Sequence, residues 1–233
     1  MADELFEVPL FPLNVVLFPG MALPLHIFEQ RYREMTADCL ADRAPFGVVL
    51  ALTDEDERQV TPARVGTLAR IADYEQLPGG RYNMLALGTS RFEIVDYKTH
   101  KSYLIGIVRP LRDRIVAADD LDMLAARARA ALDDYLHVML ALVGSEDQHL
   151  DIPGEAAELS YLIGMCLTCG DAEKQELLET TSLPQRLRTG IALLRAEVKQ
   201  LSRQLEHVEH VEHVEDNAQG VLLAHDADRS LLN

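Results

Sequence analysis

Phe11-Pro12-Leu13-Asn14-Val15-Val16-Leu17-Phe18-Pro19-Gly20-Met21-Ala22-Leu23-Pro24-Leu25 is the stretch on which the fold turns. Branched and aromatic residues recur here in short runs, and proline interrupts each run at positions 9, 12, 19 and 24. Proline removes a ladder donor, so these strands are expected to be short, bulged or at an edge. The reading gives strands over Val8–Leu13, Val15–Phe18 and Leu23–Phe28, in an irregular barrel rather than a flat sheet. From Glu29 the period changes. Tyr32, Met35, Cys39 and Leu40 fall on one face of an amphipathic helix that ends near Leu40.

Working outward, strand character returns at Phe46–Leu52, followed by the acidic loop Asp54-Glu55-Asp56-Glu57. Val65–Glu75 and Tyr82–Val95 read as a hairpin, because Leu77-Pro78-Gly79-Gly80-Arg81 between them combines a fixed φ with two glycines that tolerate positive φ. Tyr103–Val108 is the last strand expected. Beyond it the pattern is helical. Asp119 or Asp120 caps a helix over Leu121–Val143 that Gly144 ends, and a second helix is expected over Pro153–Cys169 with Asp151 near its cap. Asp171 opens a short helix to Glu179, and Ser182-Leu183-Pro184-Gln185 matches a Ser-x-x-Gln capping box. Leu187, Ile191, Leu194, Val198, Leu201, Leu205 and Val208 then form a seam of alternating four and three spacings. That seam needs a partner surface, either the other helices of the chain or a second copy, as in a homodimer.

Composition narrows the function classes. The chain has 233 residues and a formal charge of -16; residues 1 to 116 hold 13 Lys+Arg against 16 Asp+Glu, and residues 117 to 233 hold 9 against 22. Nucleic-acid binding rests on a positive surface that releases counterions, so nucleic acid is not an expected partner. No apolar run reaches the roughly 20 residues of a spanning helix, and no membrane partner is expected. The acidic start Met1-Ala2-Asp3-Glu4 and three cysteines, an odd number, point to a cytoplasmic protein.

Candidate chemistry is sparse. Cys166-Leu167-Thr168-Cys169 lacks the second pair that would complete a zinc site, and a redox pair would favour a helix N-terminus rather than the expected C-terminal end. His207, His210 and His213 could share a helix face, but the repeat His-Val-Glu equally describes a solvated helix end, so no metal or cofactor is assigned. Gly-x-Ser-x-Gly, His-Glu-x-x-His and the Gly-x-x-x-x-Gly-Lys-Ser/Thr loop are all absent, which excludes ATP hydrolysis of the P-loop kind and leaves catalysis unsupported. The remaining feature is an apolar loop, Phe18-Pro19-Gly20-Met21, accompanied by Phe11, Phe28 and the Leu77-Pro78 turn. Large apolar groups on loops either pack into the core or bind apolar partners. Phe18, Pro19, Met21, Leu77 and Pro78 are therefore the candidate binding residues.

The segment Phe11–Leu25 closely resembles the opening of the N-terminal, substrate-binding domain of Lon proteases. Val65-Gly66-Thr67-Leu68-Ala69-Arg70-Ile71, the Leu77-Pro78-Gly79-Gly80 turn and Leu87-Gly88-Thr89-Ser90-Arg91-Phe92 follow in that family's order, and Glu173–Thr180 and Leu183–Leu187 resemble its small helical bundle. The likeness runs over residues 6 to 206. It implies an α+β fold, an N-terminal PUA-like β pseudo-barrel with one inserted helix followed by a C-terminal α-helical bundle; the expected bounds are 1–116 and 117–216, and the loss of periodicity from Asp216 onward predicts a poorly ordered tail over 217–233. It also implies a non-catalytic module that binds unfolded or apolar polypeptide segments, as adaptor or holdase, since Lon's ATPase and Ser-Lys peptidase modules have no counterpart here. The alternative is a regulatory scaffold that self-associates or docks a defined protein partner through its helical half.

Overall fold

The structure, a computed structural model, describes residues 4–53, 60–114, 121–144 and 152–203. Six strands and five helices follow in order: β1 (Phe6–Leu13), β2 (Ala22–Ile27), α1 (Gln30–Asp42), β3 (Phe46–Thr53), β4 (Val60–Leu77), β5 (Arg81–Lys98), β6 (Ile105–Pro110), α2 (Leu121–Leu142), α3 (Ala156–Cys166), α4 (Asp171–Glu179) and α5 (183–203). The expected caps at Asp119, Asp120 and Asp151, the acidic loop at 54–57, the His-Val-Glu repeat and the tail all lie outside the described residues.

The long β4–β5 hairpin organises the sheet. Gly79 and Gly80, at φ +80 and +73, make its turn as the sequence predicts. The strand order is β2-β5-β4-β3-β1-β6, and β5 also pairs with β6, so β1, β3, β4, β5 and β6 form a closed ring with β2 bonded to β5 outside it. Among the six described strands only the β1–β3 pair is parallel, so the sheet is mixed. One strand serves both neighbours because β5 is 18 residues long: Tyr82–Leu87 pairs with β2, while Phe92–Lys98 pairs with β6. Register shifts between Thr67 and Ala69, Ile71 and Asp73, and Ile94 and Asp96 bend the long strands around the ring.

Three apolar clusters fill the molecule. Inside the ring, Val8, Leu10, Val49, Phe92, Ile94 and Val108 are all buried. The Phe92 ring fits because Gly47 and Gly66 have no side chain; a Cβ there would stand 2.6 and 2.9 Å from its Cζ. A second cluster packs α1, through Tyr32, Met35 and Cys39, against the strands. The third joins the halves, setting Val16, Phe18, Leu50, Ala63 and Val65 against α2 to α5.

A buried ionic cluster crosses the same boundary. Arg91 of β5 and Arg186 of α5 both pair with Asp113, and Arg186 does so through two nitrogens, at 2.7 and 2.8 Å. Arg91 Nη1 also donates to the carbonyls of Leu178 and Thr180, and Arg186 Nε to Ser160 Oγ. The Tyr161 ring lies 4.6 Å from the Arg186 guanidinium and 5.6 Å from that of Arg91. Burial and the neighbouring Arg186 charge lower the pKa of Arg91.

Two elements differ from the sequence expectation. Val15–Phe18 is a connection, not a strand: its Leu17 carbonyl accepts from Thr67 Oγ1 at 2.5 Å and its Phe18 carbonyl from the Met21 N–H at 3.1 Å. The third helix is shorter than Pro153–Cys169, starting at Ala156 and ending at Cys166, where Leu167 turns to ψ 142. Gly170 is the N-cap of α4. Ser182 does cap α5, its Oγ accepting from the Gln185 N–H at 3.4 Å.

Candidate functional site

The two parts of the apolar site inferred from sequence sit at opposite ends of β2. Phe18 is 1% exposed, and its ring rests against Gly164 of α3, where a Cβ would stand 2.5 Å from Cζ. Pro19 and Met21 are half-buried, and Met21 touches both large clusters. Gly20, at φ +86, turns the chain and donates to the Gly88 carbonyl at 2.9 Å. This loop therefore fastens the ring to the helices, and Phe18 takes the core side of the two readings. Leu77 is half-buried and Pro78 exposed at the hairpin tip. Ala22 pairs with Leu87 beside the loop, while Ile27, Tyr82 and Gln76 align across the sheet beside the tip. At roughly 3.3 Å per residue, a strand of this length spans about 17 Å between them.

A groove of about 520 Å³ opens at the tip end, between the second half of β1 and the end of β2. Phe11, Leu13, Ile27, Phe28, Tyr32 and Tyr103 give it its apolar lining. Phe28, directly after β2, is 62% exposed and stacks on His26 with ring centroids 6.1 Å apart, so a large apolar ring stands in solvent at the mouth. Phe11 and Tyr32 meet at 4.2 Å on the floor. Arg31 lies over the Tyr32 ring at 4.5 Å and pairs with Glu29 at 2.9 Å.

The opposite wall is fixed by a polar latch. Asp38 Oδ2 accepts from Lys101 Nζ at 2.7 Å and from the Tyr103 hydroxyl at 2.6 Å, and Ser102 Oγ donates to Glu34 at 2.5 Å. The Lys101 bond, then that of Tyr103, holds the Asp38 carboxyl below the usual carboxylate range. On the other flank Arg33 donates to the Gly79 carbonyl, so the hairpin tip packs on the helix that forms the groove wall. None of Phe18, Pro19, Met21, Leu77 and Pro78 lines the groove itself: Leu77 and Pro78 lie at the hairpin tip that Arg33 ties to α1, and Phe18, Pro19 and Met21 lie at the other end of β2. The latch residues and His26 were missed from sequence, because only the tertiary fold sets residue 38 beside 101 and 103.

Chemically the site offers apolar surface and hydrogen bonds. Among the described residues no group of three or more His, Cys, Asp or Glu could hold a metal ion. Burial pushes the Cys39 thiol up to about 11 and raises Cys166 and Cys169 as well, so none is an activated thiolate. Among the described residues no helix is long and apolar enough to cross a membrane.

Comparison with known proteins agrees with this architecture. Residues 7–196 match the model of the ATP-dependent protease La (LON) substrate-binding domain. The Lon protease of Anaeromyxobacter dehalogenans is 26% identical over 205 residues, covering 85% of this chain and 24% of that protein. Lon protease 2 of Herpetosiphon aurantiacus is 29% identical over 215 residues, 88% of this chain and 25% of that one. The chain therefore spans about a quarter of the length of these relatives. Among solved structures, the Lon N-terminal domain protein from Xanthomonas campestris superposes with a TM-score of 0.58 at 27% identity, over 80% of this chain and 98% of that one. The N-terminal domain of Mycobacterium avium complex Lon protease shares the fold, with a TM-score of 0.60 at 19% identity over 82% of this chain and 98% of that one.

Proposed function

This chain belongs to the ATP-dependent protease La (LON) substrate-binding domain family, and from that premise we propose that it is a non-catalytic module that captures unfolded or apolar polypeptide segments, acting in the cytoplasm as an adaptor or holdase. The observation that carries the reading is the apolar groove with the exposed Phe28 ring at its mouth. Isolated surface hydrophobes are ordinary, but an exposed aromatic continuous with a lined groove is the kind of surface that binds apolar chain. Leu77 and Pro78 extend that surface along the hairpin tip, and Phe18, Pro19 and Met21 serve it from behind by holding the ring on the helices. The closed five-strand ring supports assigning the β half to the PUA-like pseudo-barrels, with the helices as a bundle beneath it.

The test is fluorescence anisotropy of a labelled, permanently unfolded polypeptide, with the same chain in folded form as control. Micromolar or tighter binding to the unfolded form alone is expected. Phe28→Asp and Leu77→Asp should each weaken it by about tenfold or more, a charge at an interface centre costing on the order of 2 kcal/mol. Binding that is absent, or unchanged in both variants with native circular dichroism, removes this surface and favours the scaffold reading.

A further inference from the structure

Three helices bring their ends to one side of the bundle. Arg129 of α2 donates to the Pro153 carbonyl ahead of α3, and Tyr135, further along α2, donates to the Cys166 carbonyl at the end of α3. Arg186 of α5 meets Ser160 inside α3, and Glu197 meets Thr168 just beyond it. α2, α3 and α5 therefore run in the same sense, and residues 136–143 of α2 and 198–203 of α5 share one end. That end is apolar and incompletely covered: Val138, Leu140, Leu142, Val198 and Leu201 are half-buried, and Val143 is 69% exposed. The heptad seam of α5 divides there. Leu187, Ile191 and Leu194 are buried in the chain's own bundle, whereas Val198 and Leu201 are only partly covered by it. In sequence the seam continues through Leu205 and Val208, with no glycine or proline between Arg203 and Gly220.

We infer that this end is closed by a second copy of the chain, the two α5 helices crossing antiparallel about Ser202. Charge selects both the partner and the orientation. Residues 183–203 hold five Lys+Arg and one carboxylate, Glu197, which Thr168 already engages; residues 204–216 hold five Asp+Glu and no Lys or Arg. Arg188, Arg195, Ser202, Glu209 and Asp216 recur at intervals of seven and share one position beside the seam, so the sign there reverses at Ser202. Lys199 and Glu206 share a neighbouring position in the same way. An antiparallel crossing about Ser202 sets Arg195 opposite Glu209 of the second copy and Lys199 opposite its Glu206, and the two-fold axis repeats both pairs. It also keeps the two bundles on opposite sides of the crossing and brings Leu205 and Val208 of each copy to the uncovered part of the other's seam. A parallel pair would set basic stretch against basic and acidic against acidic, which destabilises it.

Light scattering of the full chain tests this, and peptide binding at the groove does not enter the readout. The native chain should weigh as a dimer. Arg195→Glu/Lys199→Glu and Glu206→Lys/Glu209→Lys, each with native circular dichroism, should dimerise about tenfold or more weakly. An equimolar mixture of the two variants should recover the dimer, because each opposes the other's charges with the opposite sign. High salt should weaken the native dimer. A short bis-maleimide reports the orientation: above the background of the native chain it should join Ser202→Cys chains, whose thiols meet at the crossing, and not Glu209→Cys chains. A monomeric native chain, variants that keep the dimer, a mixture that does not recover it, or equal joining at 202 and 209 would overturn the inference.

Discussion

Phe18 shows how one ring is specified by residues far from it in sequence. Its edge occupies the space that a Cβ on Gly164 would need. Gly164→Ala should therefore cost about 1–3 kcal/mol by overpacking. Gly154→Ala, with nothing within 4 Å of the added methyl, should leave stability unchanged or raise it by up to about 1 kcal/mol. Urea denaturation of both variants decides this, and equal midpoints would refute the packing account. Cys39 makes a second residue-scale case. Its thiol is 3% exposed and its pKa rises from the ordinary 9.0 to about 11 because burial disfavours thiolate. The folded state holds its proton more tightly than the unfolded one, so this contribution is complete below pH 9 and is lost as pH climbs toward 11. Denaturation midpoints at neutral pH and near pH 10.5 should diverge for the native chain, by an amount on the order of 2 kcal/mol, and less for Cys39→Ala. An identical pH dependence in the two would contradict it.

Among the elements, the outcome depended on whether local chemistry or a distant partner set the boundary. The β4–β5 turn, the α4 span and the cap of α5 follow from Pro78, Gly79, Gly80, Asp171 and Ser182, all local signals. Val15–Phe18 carries β-branched residues yet stays out of the sheet, because a strand also needs a free neighbour and its Leu17 carbonyl is taken by Thr67. The boundary between β5, α4 and α5 is set by Asp113, whose carboxylate neutralises one of two arginines that are 1% and 0% exposed. Asp113→Asn leaves both cations buried without a counter-charge and should cost about 3 kcal/mol or more. Hydrogen exchange should show the loss first in α4 and α5, and a cost below about 1 kcal/mol would place the strength of this junction in the apolar cluster instead.

For the whole molecule, hydrophobic periodicity, turn residues and the ordered motifs sufficed to read an α+β chain with a β half preceding a helical half and to place it by resemblance beside Lon N-terminal domains. They also marked the strands around Pro12 and Pro24 as short, bulged or at an edge, since a missing N–H is a property of the residue itself. The groove was not legible in the same way. Its walls come from β1, β2, α1 and the 102–104 loop, and its latch joins Asp38 to Lys101 and Tyr103 across 63 and 65 positions. Nor could sequence divide the apolar residues between interior and surface: Phe18 and Phe28 look alike in composition, yet one is 1% exposed and the other 62%. Local physics, in propensity, capping and proline chemistry, was written along the chain. Which faces were left open was decided only when ring closure set distant strands side by side, because burial is a property of the neighbours a residue acquires.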